Sequence, residues 1–320
     1  MIKIIKFGGT IINNEVYNDN IMEIINNTLK NNDKLIIVVS AMGRDNDPYS
    51  TSKLNSLGNY LDDIHKAEIL SYGERLSSLV FLNKLLEKGY NANVLPIEKL
   101  GINLQGDYLK GELLSLDNTK IKEEITNHDI LIVPGFIGIN NNKIGLLGMG
   151  GSDLTAVYIA KMLNANEIIL YKDVNGVMSG DPKVIADCKT ISNLSYDECL
   201  IFTKCGAKIV QDLAIKEAKD NKIRVKIYNI NDLKEKTIIS EKSSNLLFKG
   251  IMSKAEYIYL IFDDYEKLCI NICLILEKYN FECMEVKKDV NYLRLKLVGG
   301  KRNFAMNILH HYFIGNNTAI

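Results

Sequence analysis

The fold and the chemistry are most clearly indicated by the segment Leu146-Leu147-Gly148-Met149-Gly150-Gly151-Ser152-Asp153-Leu154-Thr155-Ala156. Two adjacent glycines, a hydroxyl and a carboxylate here precede a helical pattern. Backbone N–H groups at such a junction form a concave anion site, and the positive end of the helix strengthens it. A second glycine-rich turn, Lys6-Phe7-Gly8-Gly9-Thr10, follows an apolar run at the start of the chain. Two phosphate-type loops at strand ends predict a kinase that holds the phosphates of a nucleotide from two sides.

Short apolar runs alternate with amphipathic stretches up to about residue 240. The predicted strands are Ile2–Phe7, Lys34–Ser40, Ala92–Pro96, Ile130–Val133, Glu167–Tyr171 and Ile223–Ile227, and the predicted helices are Ile21–Lys30, Lys66–Lys88, Leu154–Leu163, Ser195–Thr203 and Ile209–Asp220. This alternation is typical of an α/β three-layer sandwich with a mainly parallel central sheet. Ligands of such sheets bind beyond the carboxyl ends of the strands. The residues at those ends are therefore expected to converge on one edge, and they are Lys6, Ser40, Gly135 and Asp173.

The chain after residue 240 has a different pattern. A polar linker, Glu241–Asn245, is followed by a strand, a helix, two strands and a helix within residues 246–320. The order β-α-β-β-α begins a small α+β ferredoxin-like unit, whose final strand is missing or too short. The missing strand is expected to leave a sheet edge open, and an open edge favours pairing with another chain. We therefore expect a homodimer formed through this region.

The composition argues against several classes of partner. The 320 residues contain 39 Lys+Arg and 39 Asp+Glu, so the zero net charge argues against nucleic-acid or anionic-membrane binding. No apolar stretch approaches the roughly 18 residues of a membrane span, and the first residues have a strand pattern rather than a secretory signal. The six cysteines form no CxxC pair and the four histidines are scattered, so no metal cluster is predicted. These features predict a reduced, cytoplasmic protein.

Seven short motifs follow one another along the chain: Lys6–Thr10, Val39-Ser40-Ala41-Met42-Gly43, Gly73-Glu74, Gly150–Asp153, Lys172-Asp173-Val174-Asn175-Gly176-Val177-Met178, Asp181-Pro182-Lys183 and Gly206-Ala207-Lys208. In this order they resemble the aspartokinases, members of the amino acid kinase superfamily. The resemblance covers about residues 1–240 and implies a catalytic domain of that family there. Residues 246–320 are similar to a single, incomplete ACT domain, whereas aspartokinases usually carry two such domains.

The resemblance implies transfer of the γ-phosphoryl group of ATP, with Mg²⁺, to the side-chain carboxylate of aspartate, which gives an acyl phosphate. A carboxylate needs no deprotonation at neutral pH, so catalysis reduces to positioning and to neutralising phosphate charge. The lysines, glycine loops and aspartate of the chain match this requirement. The chain has no GxxxxGK[ST] sequence, so it does not resemble a P-loop kinase.

The resemblance also assigns individual residues. Lys6 would contact the transferring phosphoryl group and Asp153 would organise the lysine and phosphate region, although Asp153 also fits a plain helix N-cap. Glu74 would bind the α-amino group of the substrate, and Ser40 and Met149 belong to the substrate site. The nucleotide would contact Lys6, Gly8, Gly9, Thr10, Gly150, Gly151, Ser152, Asp173, Val177, Met178, Asp181, Lys183 and Lys208, of which Lys208 also fits an exposed helix lysine.

The chain departs from the family pattern in its substrate loop. The family usually has an arginine that binds a substrate carboxylate where this chain has Met149. Loss of a buried charge-assisted pair of that kind typically costs several kcal/mol. Arg44 or Arg75 are candidates to restore the carboxylate partner. Lys183 stands where the family commonly has arginine, so it keeps the charge but loses the bidentate fork.

Three interpretations remain open from the sequence. The first is an aspartokinase with an altered carboxylate contact and weak feedback control. The second is a kinase of the superfamily that acts on another acceptor with a less charged head group, which Met149 favours. The third is a catalytically silent regulatory subunit, against which the retained Lys6 and Asp153 argue. The ACT-like region fits either an amino-acid sensor or a structural dimerisation element.

Overall fold

The computed structural model describes residues 1–12, 14–31, 33–43, 47–234, 236–263, 272 and 274–315. The chain divides into two compact units. The first comprises Met1–Val174 and Leu213–Lys234, and the second comprises Asn175–Asp212 and Glu235–Ile320. The segment 175–212 therefore belongs structurally with the C-terminal residues. Within the described ranges, no helix is both long and apolar enough to cross a membrane.

The secondary structure follows the alternation that the sequence indicates. In chain order, the strands are β1 (Ile2–Phe7), β2 (Lys34–Val39), β3 (Ala92–Val94), β4 (Ile102–Gln105), β5 (Glu112–Leu116), β6 (Ile130–Pro134), β7 (Ile137–Asn140), β8 (Lys143–Leu146), β9 (Glu167–Lys172), β10 (Asn193–Ser195), β11 (Arg224–Asn229), β12 (Lys236–Ser240), β13 (Phe248–Lys254), β14 (Tyr257–Phe262), β15 (Cys283–Lys288) and β16 (Tyr292–Leu297). The labelled helices are α1 (Gly9–Ile12), α2 (Asn18–Leu29), α3 (Thr51–Leu57), α4 (Asp63–Glu87), α5 (Thr119–Asn127), α6 (Gly151–Met162), α7 (Tyr196–Lys204), α8 (Asp212–Asp220) and α9 (Arg302–His310). Residues 274–278 are also helical.

The central sheet of the first unit is parallel, with the strand order β11-β9-β1-β2-β6-β3. Its central strands β1, β2 and β6 are rich in isoleucine, valine and leucine, as is usual for parallel strands that are buried on both faces. Phe7 is in register with Val39 on one side and with Tyr171 on the other, so these strands end together. The expected convergence is confirmed, since the shared carboxyl edge carries Lys6, Ser40, Gly135 and Asp173.

Helices cover both faces of this sheet, as the predicted three-layer sandwich requires. On one face, Ile5 and Phe7 of β1 pack in a core with residues of α2 and α4, and the ring of Phe7 lies 6.1 Å from that of Phe81. On the other face, α6 packs against β1, β2 and β9. Because side chains alternate along a strand, Lys6 points to the α6 face. Helix α6 is buried along most of its length, which is typical of a core helix.

A second, smaller sheet of the first unit has the strand order β5-β4-β7-β8 and was not predicted from the sequence. Its strands are four or five residues long, too short for a clear periodic signal. The β7–β8 hairpin turns through Asn141 and Asn142, both at positive φ, as a two-residue hairpin loop requires. The sheet matters for the site because β8 leads directly into the glycine-rich segment that precedes α6.

The second unit contains an antiparallel sheet with the order β13-β14-β16-β15 and a parallel pair, β10 and β12. The sequence pattern started this region at β14 and left its fourth strand unassigned. In the structure, β13 pairs antiparallel with β14 and fills that edge. The expectation of an open edge on this side is therefore wrong, because the strand comes from the residues directly after the linker. The argument for a homodimer through a missing strand loses its basis.

The core of this antiparallel sheet includes part of the segment 175–212. Ile185 is fully buried among Ile251, Leu260 and Leu309, and Cys188 packs against the same cluster. Polar contacts reinforce the packing, since the N–H of Ile251 donates to the carbonyl of Ser179 at 2.7 Å. Residues on both sides of the predicted linker thus fold around one core.

A buried lysine connects several parts of the second unit. Lys249 of β13 is 1% exposed, and its Nζ lies 2.7 Å from Glu198 Oε1 and 2.8 Å from Asp263 Oδ2. Glu198 also accepts a hydrogen bond from the hydroxyl of Ser243 at 2.6 Å. Burial raises the pKa of Glu198, but the hydrogen bonds from Lys249 and Ser243 outweigh that effect and bring the pKa to about 2. The Glu198 carboxylate is thus ionised, and its hydrogen-bond partners lie within this cluster.

Replacing Lys249 with methionine is expected to destabilise the protein by about 3–5 kcal/mol, because it leaves the Glu198 carboxylate buried without its cation. Urea unfolding at pH 7 measures the loss, and Lys242→Met, at an exposed position, is the matched control. The stabilisation from Glu198 is present above its unfolded pKa of 4.5 and is lost as the pH falls toward 2. A loss of less than about 1 kcal/mol in the free energy of unfolding would show that the ion pair of Lys249 with Glu198 contributes little to stability.

Candidate active site

A buried ion-pair cluster lies at the carboxyl edge of the parallel sheet. Lys6, near the end of β1, is 7% exposed, and its Nζ donates a hydrogen bond to Oδ1 of Asp153 at 2.8 Å. Lys172, the last residue of β9, donates from its Nζ to Oδ2 of the same carboxylate at 3.3 Å. One carboxylate therefore binds two ammonium groups that come from neighbouring parallel strands.

Helix α6 begins at Gly151, before the predicted start at Leu154. This early start brings Asp153 to its position in the cluster. Gly150 is the N-cap with φ of 79°, a left-handed conformation that glycine adopts readily. A Cβ atom at Gly151 would lie 2.7 Å from Cβ of Leu147, so close packing rather than helix propensity sets this start. The expectation that Asp153 precedes or caps the helix is wrong. It lies in the first turn, where the helix dipole favours an anion.

The charge state of the cluster follows from its partners. Burial raises the pKa of the Asp153 carboxyl, but the charges of Lys172 and Lys6 and the hydrogen bonds from both outweigh it, so the pKa lies below its ordinary value. Asp153 is therefore ionised at neutral pH. It holds two cations close together at a sheet edge, which is an arrangement suited to binding a polyanion.

The turn after β1 combines a closely packed glycine with an open one. A Cβ atom at Gly9 would lie 1.9 Å from the carbonyl oxygen of Ala41, so a side chain does not fit there. A Cβ atom at Gly8 would meet nothing nearer than Thr10 Oγ1 at 4.0 Å, so this position faces open space. The turn therefore leaves room for ligand atoms against the backbone, close in sequence to Lys6.

Glu74 is a buried carboxyl group with one unsatisfied oxygen. It lies on α4, is 3% exposed, and accepts a hydrogen bond from the N–H of Ala41 at 3.1 Å. Among the described residues its Oε2 has no hydrogen-bond partner. Burial raises the pKa of Glu74 to about 8, while the Ala41 N–H and the charge of Lys6 act in the opposite direction. A buried carboxyl oxygen in this state is a ready partner for a cationic group of a ligand.

Gly73 explains how α4 brings Glu74 to the turn after β2. A Cβ atom at Gly73 would lie 2.7 Å from Cβ of Ala41, so the helix approaches this turn only because the residue is glycine. Ser40, next to Ala41, is half-buried at the same edge, as is Asp173 after β9. The carboxyl edge thus gathers the predicted residues of the first unit from several elements.

Met149 occupies the exposed tip of the second glycine loop. Its side chain is 95% exposed and lies between Gly148 and Gly150, both at positive φ. It offers no charge to a ligand carboxylate. Lys110 flanks the loop, since it forms a β-bridge with Leu147 and its Cγ lies 3.2 Å from where a Cβ of Gly148 would be. A cation that the sequence motifs did not mark therefore lies beside this loop.

The structure describes only one of the two arginines that were considered as partners for a substrate carboxylate. Arg44 lies outside the described residues. Arg75 on α4 forms an ion pair with Glu68 at 3.1 Å, and its guanidinium lies 4.7 Å from the centre of the Tyr72 ring. Its charge is thus engaged within its own helix. An open cavity of about 420 Å³ lies beside it, lined also by Glu68 and residues of the β7–β8 hairpin.

The remaining residues that the resemblance assigns to the nucleotide lie in the second unit, and they are Val177, Met178, Asp181, Lys183 and Lys208. Val177 is buried, whereas Asp181, Lys183 and Lys208 are exposed. Oδ1 of Asp181 accepts a hydrogen bond from the N–H of Lys183 at 2.9 Å, which shapes the turn. Lys208 is exposed, but it lies in the loop after α7. The alternative of an exposed helix lysine is therefore wrong about the helix.

Lys172 is the residue of the cluster that the sequence analysis left without a role. The motif that contains it drew attention to Asp173 instead. A signal existed, because Lys172, like Lys6, ends a buried apolar strand, where a lysine is costly unless it is paired. The same reasoning that selected Lys6 would have selected it.

The cluster of Lys6, Lys172 and Asp153 offers hydrogen-bond donors to anions. Among the residues that the structure describes, no group of three or more His, Cys, Asp or Glu side chains is placed to hold a metal. Asp153 already binds two lysines. A Mg²⁺ ion in this site would thus depend mainly on the phosphates of a bound nucleotide for its ligands.

The comparisons with known proteins agree on one family. Residues 1–229 match the model of the amino acid kinase family. Over 263 residues the chain is 30% identical to an aspartokinase of Bacillus sp. (strain MGA3), an alignment that covers 78% of this chain and 62% of that protein. Aspartokinase 1 of Bacillus subtilis (strain 168) is 28% identical, with 78% and 63% covered. The chain therefore spans less than two thirds of the length of these curated relatives.

Solved structures show the same fold. The structure of E. coli aspartokinase III in complex with aspartate and ADP has a TM-score of 0.68 at 20% identity, covering 93% of this chain and 78% of that one. Uridylate kinase from Archaeoglobus fulgidus has a TM-score of 0.52 at 15% identity, covering 74% of this chain and 100% of that one. At these identities the likeness shows the fold alone.

Proposed function

The chain belongs to the amino acid kinase family, and from that premise we propose that it transfers the γ-phosphoryl group of ATP to the side-chain carboxylate of aspartate. The observation that carries the proposal is the buried, unsatisfied oxygen of Glu74 within electrostatic reach of the Lys6–Asp153 pair. Once ionised, Glu74 supplies an anion for the α-ammonium group of an amino acid beside cations for a phosphoryl group.

The proposed reaction needs little covalent chemistry from the protein. An oxygen of the acceptor carboxylate attacks the γ-phosphorus, the bond from that phosphorus to the β-phosphate bridging oxygen breaks, and ADP leaves. The acceptor is already ionised, so no general base is required. Lys6 neutralises charge on the transferring group, and Asp153 holds Lys6 in place. Mg²⁺, carried by the phosphates of ATP, would supply further charge neutralisation.

Aspartate as the acceptor is supported by relatives as well as by the site. The structure of E. coli aspartokinase III contains aspartate and ADP, so a protein of this fold accommodates both. In this chain the α-ammonium group of aspartate would pair with Glu74. The nucleotide would lie against the Gly8-Gly9 and Gly150-Gly151 turns. We extend the nucleotide site by resemblance to Ser152, Asp173, Val177, Met178, Asp181, Lys183 and Lys208.

The organisation of the whole protein is also a proposal. We infer a catalytic domain over residues 1–240 and an ACT-like domain over residues 246–320. We propose a homodimer through the latter from its resemblance to an ACT domain, since the open-edge argument no longer applies. The zero net charge supports a small-molecule substrate rather than a nucleic acid or membrane. The six cysteines without a CxxC pair support a reduced, cytoplasmic location. The retained contact between Lys6 and Asp153 argues against a catalytically silent subunit.

A second acceptor class is supported by Met149. Its exposed thioether stands where the family arginine would bind the other carboxylate of aspartate. A kinase for an acceptor with a less charged head group is therefore the alternative. Lys110, beside Gly148, is the described feature that favours aspartate instead, because it can supply the missing positive charge.

An acceptor series separates the two proposals. ADP release is measured with ATP, Mg²⁺ and aspartate, glutamate or the α-amide of aspartate, which keeps the reacting carboxylate and lacks the other charge. The account predicts that kcat/KM for aspartate exceeds that for the α-amide by about tenfold or more, because a charged group binds the second carboxylate. Equal or higher kcat/KM for the α-amide would favour the alternative acceptor class.

A further inference from the structure

Lys172 is the second cation of the site, and its environment closely matches that of Lys6. Its side chain is 16% exposed, against 9% for that of Lys6, and both ammonium groups bind the Asp153 carboxylate through different oxygens. Asp153 is 6% exposed at its side chain. Both lysines are thus withdrawn from bulk solvent, at the edge where ligands of parallel sheets bind.

The strand register places the two lysines on the same face of the sheet. Lys6 of β1 is directly opposite Leu170 of β9. Residues opposite each other in neighbouring strands share a face, and so do residues two apart on one strand. Lys172, two positions beyond Leu170, therefore emerges on the face of Lys6 and one step nearer the carboxyl edge. The backbone positions of the two lysines are therefore staggered along the strands, and both ammonium groups bind Asp153.

The arrangement of two lysines on one carboxylate suits the binding of a polyanion. A second lysine on one buried carboxylate adds desolvation and like-charge repulsion, which a single pair would avoid. Binding of a polyanion between the two lysines would offset both costs. The ionised Asp153 keeps the ammonium groups together before that anion arrives, so the site is preorganised.

We propose that Lys172 is a second phosphate-binding residue, which contacts the phosphate chain of the nucleotide together with Lys6. The proposal rests on the proposed function in that it places a nucleoside triphosphate at this edge. Lys172 donates hydrogen bonds from its ammonium group to non-bridging phosphate oxygens and keeps its proton throughout. When the bond between the γ-phosphorus and the leaving ADP oxygen breaks, Lys172 and Lys6 stabilise the charge that moves onto ADP and the transferring group.

The test measures nucleotide binding without any acceptor. Dissociation constants for ATP and AMP are determined by calorimetry for the wild type, Lys172→Met, Lys172→Arg and Lys172→Gln. The control is Lys226→Met, because Lys226 on the neighbouring strand β11 is also partly buried and pairs with Glu167 at 2.9 Å. The thermal midpoint of each variant establishes that it is folded, and the arginine and glutamine variants keep hydrogen-bond donors if the methionine variant does not fold.

We expect Lys172→Met to lower the ratio of ATP to AMP affinity by about 10-fold to 100-fold, since a charge-assisted hydrogen bond to the terminal phosphates is lost. Lys172→Arg should keep most of the ratio, and Lys226→Met should leave it unchanged. An unchanged ratio in folded Lys172→Met or Lys172→Gln would overturn the proposal, because a purely structural role affects both nucleotides alike.

The result also separates this proposal from the proposed function. A wild type that prefers ATP in a Lys172-dependent manner, yet phosphorylates no carboxylic acid, would refute the proposed reaction and support the lysine contact. A wild type that binds ATP no better than AMP would overturn the lysine contact.

Discussion

Glu74→Gln should lower kcat/KM for aspartate by about 100-fold or more, because it removes the buried charge that pairs with the α-ammonium group of the acceptor. The glutamine keeps an oxygen to accept the hydrogen bond that the N–H of Ala41 donates to Glu74 at 3.1 Å, so the local fold is preserved. The KM for ATP should change little. The matched control is Glu68→Gln, on the same helix but half-exposed.

The pH dependence of the same variant gives an independent test. Burial raises the pKa of Glu74 from 4.5 to about 8, so the free protein carries it protonated at neutral pH. Since only the ionised carboxylate pairs with an ammonium group, kcat/KM for aspartate should rise with pH up to about 8 and then level off. In Glu74→Gln this rise should be absent.

Stability should change in the opposite direction. Below pH 4.5 the carboxyl group is protonated in both the folded and the unfolded chain, and its contribution to stability is complete. Between 4.5 and about 8 only the unfolded chain ionises, so the free energy of unfolding falls by roughly 1.4 kcal/mol per pH unit from this group. The free energy of unfolding of the wild type, relative to that of Glu74→Gln, should therefore fall from pH 5.5 to 7.5. A constant difference would contradict a buried, protonated Glu74.

Lys6→Met should reduce kcat by about 10³-fold, because it removes a preorganised cation from the transferring phosphoryl group. Asp153 keeps one cation in the variant, since Lys172 binds its other oxygen at 3.3 Å, so the carboxylate is not left unpaired. Stability and the position of α6 should therefore be largely retained. The loss should appear in the chemical step more than in the KM for aspartate.

The control for this variant lies on the same strand. Lys3→Met changes a partly buried lysine of β1 that is in register with Leu35, away from the carboxyl edge. It should leave kcat within about twofold, as for a substitution that touches neither nucleotide nor acceptor. If Lys6→Met retained more than about a tenth of kcat, Lys6 would not contribute the stabilisation expected of a phosphoryl contact.

The parallel sheet and its functional edge could be predicted because their signal is local. Long apolar runs such as Ile2–Phe7 and Lys34–Val39 mark buried strands, and parallel strands bring their ends together. The residues at the carboxyl ends of these strands could therefore be identified from the sequence. The small sheet of β4, β5, β7 and β8 could not be predicted, because its strands are short and partly exposed.

The errors at the site and in the C-terminal region have physical causes. The start of α6 was missed because Gly151 and Ser152 are weak helix formers that tertiary packing holds in the helix. The edge strand β13 was missed because it comes before the β-α-β-β-α pattern instead of after it. The burial of Glu74 was hidden because the face of α4 around it also buries Ser71, Gly73, Ser77 and Ser78, so no apolar stripe marks it.

The central claim is that a carboxylate of an amino acid receives the phosphoryl group at the Lys6–Asp153 cluster. Hydroxylamine trapping with ATP, Mg²⁺ and aspartate measures this directly, since an acyl phosphate reacts to a hydroxamate. The account predicts aspartyl hydroxamate in equal amount to ADP, and a rate of hydroxamate formation about 10³-fold lower with Lys6→Met. ADP formation without hydroxamate, or hydroxamate that forms equally in Lys6→Met, would contradict it.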